Sequence, residues 1–185
     1  MAILPIVRLG HPALRAPAEP VDAERLASPE TQQLLDSMVD TMRDAEGVGL
    51  AAPQVGAPWQ IFVYEVADEE NAERAIPLHV VINPMVEPLG GEMVFDWEGC
   101  LSIPDLRGLV PRHPQVRVRG LDRNGRKVDY NAAGLEARIV QHEFDHLNGV
   151  VFLERMRDLH SLAFYDEWQS YLGDAEAAAR AARPE

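Results

Sequence analysis

Apolar positions recur along this chain with two different periods, and the period marks where helices and strands should lie. Ser28-Pro29-Glu30 has the form of a helix start, with Ser28 as N-cap and Pro29 at the first helical position. Leu34, Leu35, Met38, Val39 and Met42 follow at helical spacing, and Gly47 provides a stop. Trp59 to Val66 reads as a strand, Asp68 to Arg74 as a charged polar loop, and Leu78 to Ile82 as a second strand ended by Asn83-Pro84. Residues 85–115 hold many Pro and Gly and predict irregular loop with short strand. Val116 and Val118 alternate with Gln115, Arg117 and Arg119, which gives a strand with one buried face. Asn124-Gly125 signals a hairpin turn into Lys127 to Tyr130.

Ile139, Val140, Phe144 and Leu147 make Gly134 to Leu147 a helix that is apolar on several sides, hence buried, with Asn148-Gly149 as its stop. A last helix is predicted from Asp158 to Tyr171, followed by an Ala-rich charged tail from Gly173 that frays. The order of elements predicts an α+β fold: antiparallel strands packed around a central helix, with N-terminal and C-terminal helices. Residues 1–172 read as one domain and 173–185 as the tail.

The bulk properties narrow the class. A chain of 185 residues, 46% hydrophobic and 25% charged, suits one globular domain with a sizeable core. Its net charge of −13 repels phosphate backbones, so no nucleic-acid binding is expected. One cysteine, Cys100, excludes an intrachain disulfide framework. The N-terminus does not read as a signal peptide, and no run of about 18 apolar residues is present. The expected location is the cytoplasm, away from membranes.

The chemistry concentrates in His142-Glu143-Phe144-Asp145-His146, which reads H-E-x-x-H within the predicted buried helix. With about 3.6 residues per turn, His142 and His146 project from one face and can share a metal ion. Glu143 is rotated by about 100°, poorly placed to ligate beside them but well placed to act as a base on a water at the metal. Buried imidazoles and carboxylates need partners, and a metal supplies them. Cys100, in Trp97-Glu98-Gly99-Cys100-Leu101-Ser102, would complete a three-ligand site with a fourth position open. A lone cysteine is also a common core residue. Gly47-Val48-Gly49-Leu50-Ala51-Ala52-Pro53-Gln54 is either a tight turn or a loop whose glycines let a ligand backbone approach, and Gln54 carries an amide donor. It is no phosphate loop, because no Gly-Lys-Ser/Thr follows. His11, His79, His113 and His160 lack metal spacing and read as surface or satisfied residues. Trp59 and Trp97 read as core.

Taken together, Gly47 to Gln54, Glu98 to Ser102 and Gln141 to His146 resemble, in this order, the G-x-G-L-A-A-x-Q, E-G-C-x-S and Q-H-E-x-D-H segments of the bacterial peptide deformylases. The resemblance covers roughly residues 3 to 165. It implies that Cys100, His142 and His146 hold one divalent metal, typically Fe²⁺ in the cell, with Zn²⁺, Ni²⁺ or Co²⁺ able to replace it. It implies Glu143 as general base and then acid, and Gln54 with the Leu101 N–H as oxyanion donors. Glu98 would pair with Arg112 and brace the Cys100 loop. Gly47, Val48 and Gly49 would meet an extended peptide, with Val48 and Ile139 lining the methionine pocket. The implied substrate is the N-formyl-methionyl end of a nascent polypeptide.

Many members carry a basic tail that faces the ribosome. Here Asp166, Glu167, Asp174 and Glu176 make it mixed to acidic, so a ribosome partner is implied without a clearly basic tail to meet it. Arg138, charged where some members are apolar, is expected at the rim of the side-chain pocket. Two other classes share features with this sequence: a metallopeptidase drawing a third ligand from Glu154 or His160 downstream, and a catalytically silent metal or peptide-binding module.

Overall fold

The computed structural model describes residues 2–67 and 75–172. Ser28 caps the second helix as its sequence predicts, its side chain accepting from the Thr31 N–H. A short helix α1 (Ala23–Ala27) precedes α2 (Pro29–Asp44), whose buried face presents Leu35, Met38, Val39 and Met42. The helix ends one residue earlier than Gly47 suggests. Glu46 takes the left-handed turn (φ 53), and the Gly47 N–H closes back onto the Met42 carbonyl at 2.9 Å.

Two antiparallel sheets flank the central helix α3 (Gly134–Leu147). Among the described residues the larger sheet runs β1 (Gly49–Ala51), β2 (Ile61–Val66), β3 (Ile76–Pro88), β6 (Gln115–Leu121) and β7 (Lys127–Ala133) in that spatial order. The smaller sheet joins β4 (Val94–Cys100), β5 (Ile103–Arg112) and the two-residue β8 (Ala163–Phe164). One apolar cluster packs α3 residues Ala137, Ile139, Val140 and Leu147 against Phe62, Tyr64, Val81, Val116 and Val118 of the larger sheet. A second joins the buried face of α2 to Leu50, Ile61, Val63 and Ile82 on the other side of that sheet. The α+β architecture with a central helix is as the sequence predicts.

Three local expectations change. The strand expected to stop at Asn83-Pro84 continues to Pro88, because the register shifts between Ile82 and Met85 and Asn83 adopts φ 50 at the bulge. Asn83 holds that kink by accepting the Val21 N–H and donating to the Val21 carbonyl. Residues 85–115 are mostly regular strand, since β4 and β5 pair from Val94–Arg112 to Cys100–Ile103. Pro104 and Pro111 fit there because, among the described residues, β8 covers β5 only at Leu106 and Arg107, which leaves most of that edge of β5 without a strand partner. The C-terminal helical segment begins late. Residues 158–162 turn, β8 pairs with β5, and helical turns form only in α4 (Tyr165–Glu167) and a wider π turn over Trp168–Leu172. Pairing with β5, together with the Leu109 N–H donated to Ser161 Oγ at 3.1 Å, outweighs the helical pattern there. The polar loop expected over 68–74 and the tail from Gly173 lie outside the described residues.

Candidate active site

The site forms where α3 faces the end of β4 and the start of β1. α3 is buried over most of its length beyond the first turn, and His142 and His146 stand one turn apart on it with ring centroids 5.0 Å apart. β4 carries Glu98 and Cys100 to the same point. Ligand atoms of Cys100, His142 and His146 all lie within 4.8 Å of one another, and Cys100 Sγ is 3.3 Å from His146 Nε2. Ligands bound tetrahedrally at roughly 2.0–2.3 Å stand about 3.4 Å apart, so the three donors are spaced to close on one ion. Among the described residues this is the group of His, Cys and carboxylates that could hold a metal. Its donors are soft sulfur and imidazole nitrogen, the set that suits Zn²⁺ or Fe²⁺ rather than Mg²⁺ or Ca²⁺. Glu154 and His160 are not part of it. Glu154 accepts the Val151 N–H and pairs with Arg15, and His160 is exposed. Neither residue therefore provides a downstream third ligand.

A buried ionic network fixes the orientation of His142. Glu98 Oε2 sits 2.9 Å from His142 Nδ1, which leaves Nε2 for a ligand. Arg112 holds both Glu98 oxygens at 2.9 and 3.0 Å and reaches Asp145 Oδ2 at 2.6 Å. Arg138 adds a 2.9 Å bond to Glu98 Oε1. Two guanidiniums thus balance two carboxylates in the interior. Burial opposes the charge on Glu98, but hydrogen bonds from His142 and Arg112 outweigh it and hold the carboxyl far below its ordinary range. Burial also opposes the charge on Arg112, and Glu98 and Asp145 together raise it. His146 is pushed well below the ordinary imidazole value, first by burial and then by His142, so it stays in the neutral, ligating form.

Glu143 is set apart from this network. It is 4% exposed, and its Oε2 has no hydrogen-bond partner among the described residues. Burial pushes its carboxyl up to about 7, partly offset by the nearby His142. A carboxyl poised near neutrality can take and return a proton. Gln54, in a 3₁₀ turn after β1, accepts the Ala51 N–H on Oε1 at 2.8 Å. That bond turns its amide nitrogen inward, 3.6 Å from Cys100 Sγ and 3.3 Å from Ser102 Oγ.

A cavity of about 430 Å³ opens onto these groups. Gly47, Val48, Gly49, Gln54, Leu101, Ile139 and Glu143 all line it, as do Cys100 and His142; His146 lies beneath, 1% exposed. The structure thus brings every site residue read from the sequence to one place. Arg138 differs from its expected rim position. It is buried, and its guanidinium turns into the smaller sheet, bonding Glu98 and the Val110 and Val94 carbonyls. Asp145 and Arg107 carry no role in the sequence reading, and Trp97, read as core, is only partly buried and lies on the cavity. Asp145, inside the H-E-x-x-H segment, anchors Arg112 and Arg155; a carboxylate on a buried helix one turn from a ligand was the available signal. Trp97 and Arg107 line the cavity mouth, and no spacing in the sequence marks them.

Residues 3–161 match the family model described as polypeptide deformylase. The chain belongs to the peptide deformylase family. It is 43% identical to peptide deformylase 1 of Nitrosomonas europaea over 89% of this chain and 93% of that one. It is 47% identical to peptide deformylase 2 of Bordetella bronchiseptica over 86% and 90%. A class I type b peptide deformylase from Acinetobacter baumannii, solved with Met-Ala-Ser bound, superposes with a TM-score of 0.78 at 39% identity, covering 84% of this chain and 99% of that one. The protein is accordingly a hydrolase that removes the N-formyl group from nascent polypeptides. No helix among the described residues is long and apolar enough to cross a membrane.

Proposed function

We propose that Cys100, His142 and His146 hold one divalent metal, Fe²⁺ in the cell, in a site that also accepts Zn²⁺, Ni²⁺ or Co²⁺, and that residues 1–172 form the catalytic unit. The observation that carries this reading is the convergence of the three donors within 4.8 Å beside a buried Glu143 whose Oε2 has no partner among the described residues. Bound there, the ion supplies Lewis acidity and a lowered water pKa.

The chain's own residues supply the remaining work. Glu143 takes a proton from the attacking water at its free carboxylate oxygen and delivers it to the leaving amine. Gln54 Nε2 and the Leu101 N–H donate to the oxygen of the formyl carbonyl as it gains charge, and the Ala51–Gln54 bond holds that donor in place beforehand. Gly47, Val48 and Gly49 run along the substrate main chain, and Val48 with Ile139 lines the pocket for the methionine side chain. The Met-Ala-Ser bound by the Acinetobacter baumannii relative supports a peptide ligand in this groove. The substrates are N-formyl-methionyl nascent chains in the cytoplasm. They are met at the ribosome without a strongly basic tail, and neither nucleic acid nor membrane is bound.

The test compares kcat/KM for formyl-Met-Ala-Ser and acetyl-Met-Ala-Ser, with casein cleavage run alongside. The small-residue run Gly47 to Gln54 leaves little room beside the attacked carbon. An acetyl methyl displaces the carbonyl from its donors, which costs about 10²-fold. Equal rates on both peptides, or rapid casein cleavage, would overturn the assignment.

A further inference from the structure

The segment that follows α3 turns back on the helix and supports His142 from the side away from the catalytic cavity. Gly149 (φ 71) makes the reversal, at a place where a Cβ would stand 2.5 Å from the Arg15 carbonyl oxygen. A 3₁₀ turn (Phe152–Glu154) follows, with Glu154 accepting the Val151 N–H at 3.0 Å and pairing with Arg15. This turn meets the ligand helix at two points. The buried Phe152 lays its ring beside that of His142, with centroids 6.3 Å and planes 22° apart, and shares an apolar cluster with Cys100. Arg155, the residue after the turn, grips Asp145 with two prongs: Nε donates to Oδ2 at 3.0 Å and Nη2 to Oδ1 at 2.6 Å.

Asp145 passes this hold inward. Its Oδ2 also accepts Arg112 Nη1 at 2.6 Å, while Arg112 Nε and Nη2 hold the two oxygens of Glu98. Glu98 Oε2 in turn faces His142 Nδ1 at 2.9 Å. Asp145, Arg112 and Glu98 are all buried, whereas the Arg155 side chain is 48% exposed. The contacts therefore run without a break from a half-exposed guanidinium to the imidazole, and two of the joints are two-pronged, which fixes direction as well as distance. Arg155 lies on a separate cavity of about 220 Å³ that shares no lining residue with the catalytic one, so it reaches the centre through other side chains and not through substrate. Charge balance alone does not require it, because Arg112 and Arg138 already offset Glu98 and Asp145. What Arg155 adds is orientation. Held by Arg112 alone, the Asp145 carboxylate is free to turn about its soft terminal torsion, and Arg112 loses a fixed anchor.

From this geometry we propose that Arg155 is a positioning residue for the metal centre: its two-pronged hold on Asp145 sets, through Arg112 and Glu98, the direction of the His142 ring. The inference rests on the reading of Cys100, His142 and His146 as metal ligands and adds a surface residue to the parts that hold the ion. A partner that bonds directly to a ligand is worth about 10- to 100-fold in metal affinity. Arg155 stands behind such a partner, with Asp145, Arg112 and Glu98 between it and His142, so its share is smaller, about threefold to tenfold.

The test loads the full chain with Zn²⁺ or Co²⁺ and reads two properties. One is the rate at which Zn²⁺ passes to a chromogenic chelator. The other is the visible absorption of bound Co²⁺, which reports the geometry of its ligands. Arg155→Met should release Zn²⁺ about threefold to tenfold faster than wild type and alter the Co²⁺ bands. Arg155→Lys keeps the charge but not the fork, and should also release Zn²⁺ faster than wild type, by a smaller factor. Arg117→Met is the matched control. Arg117 grips Asp129 by the same two-pronged contact, both bonds 2.7 Å, between β6 and β7, and its loss should leave both readouts unchanged. A wild-type rate and spectrum in Arg155→Met would overturn the role, whatever happens to its thermal midpoint. Equal changes in Arg117→Met would overturn it too, by showing a general loss of stability. A wild-type rate in Arg155→Lys would overturn orientation as the cause. If the wild-type chain fails to bind one equivalent of Co²⁺ with a sulfur-to-metal charge-transfer band, the metal site itself is overturned.

Discussion

Gly49→Ala probes the catalytic geometry with a single methyl group. Gly49 starts β1, pairs with Tyr64, and does not use a left-handed φ, so alanine fits its backbone without strain. The added Cβ would nevertheless stand 2.8 Å from Glu143 Cδ and 3.0 Å from Cγ, and nearer still to Oε1. Carbon atoms in contact prefer about 3.5–4.0 Å, so the Glu143 carboxylate must retreat by roughly 0.5–1 Å. A misplacement near 1 Å costs about 10²-fold in rate, or about 2.7 kcal/mol of barrier. Metal binding should persist, because none of the three donors is displaced. Fold stability should hold or rise slightly, since replacing glycine at a compatible φ contributes about 0.4–1 kcal/mol. The assay is formate release from formyl-Met-Ala-Ser, with metal content and thermal midpoint measured on the same preparation. A metal-replete Gly49→Ala enzyme with kcat within threefold of wild type would show that Glu143 need not occupy its observed position.

Three further outcomes follow from the same contacts. Glu143→Gln should keep its metal and lose about 10²- to 10⁴-fold in kcat, and near-normal turnover of metal-replete protein would remove it as the base. Arg112→Met should destabilise by about 3–5 kcal/mol, because Glu98 and Asp145 then lose their shared buried partner; an unchanged urea midpoint would contradict that accounting. His79, stacked on Tyr64 at 4.8 Å, is held below its ordinary value by burial, against the pull of Glu136. The folded state therefore resists its proton, the unfolded state binds more below about pH 6.5, and stability falls as pH drops through that range. His79→Gln should lose less stability than wild type between pH 7.5 and 5.5, and parallel losses would refute it.

The chemistry was legible in the sequence because it is local. His142 and His146 share a helix face by spacing alone, and the apolar residues around them predict that the helix is buried. The glycines of the Gly47–Gln54 run and the lone thiol in Trp97–Ser102 mark the other two walls of the site. Regular strand over 94–112 was not legible, because Pro and Gly lower strand propensity while the pairing of β4 with β5 is decided across the sheet. The late start of the C-terminal helical turns has the same cause: β8 is specified by a partner over fifty residues away. Arg138 shows the limit most clearly. Its position one turn before His142 places it beside the site, but the direction of its guanidinium depends on carbonyls of Val94 and Val110 and on Glu98, which only the folded sheet brings together. Spacing along one element determines which groups share a face. Long-range pairing and burial decide which way a long side chain turns and which charges it meets.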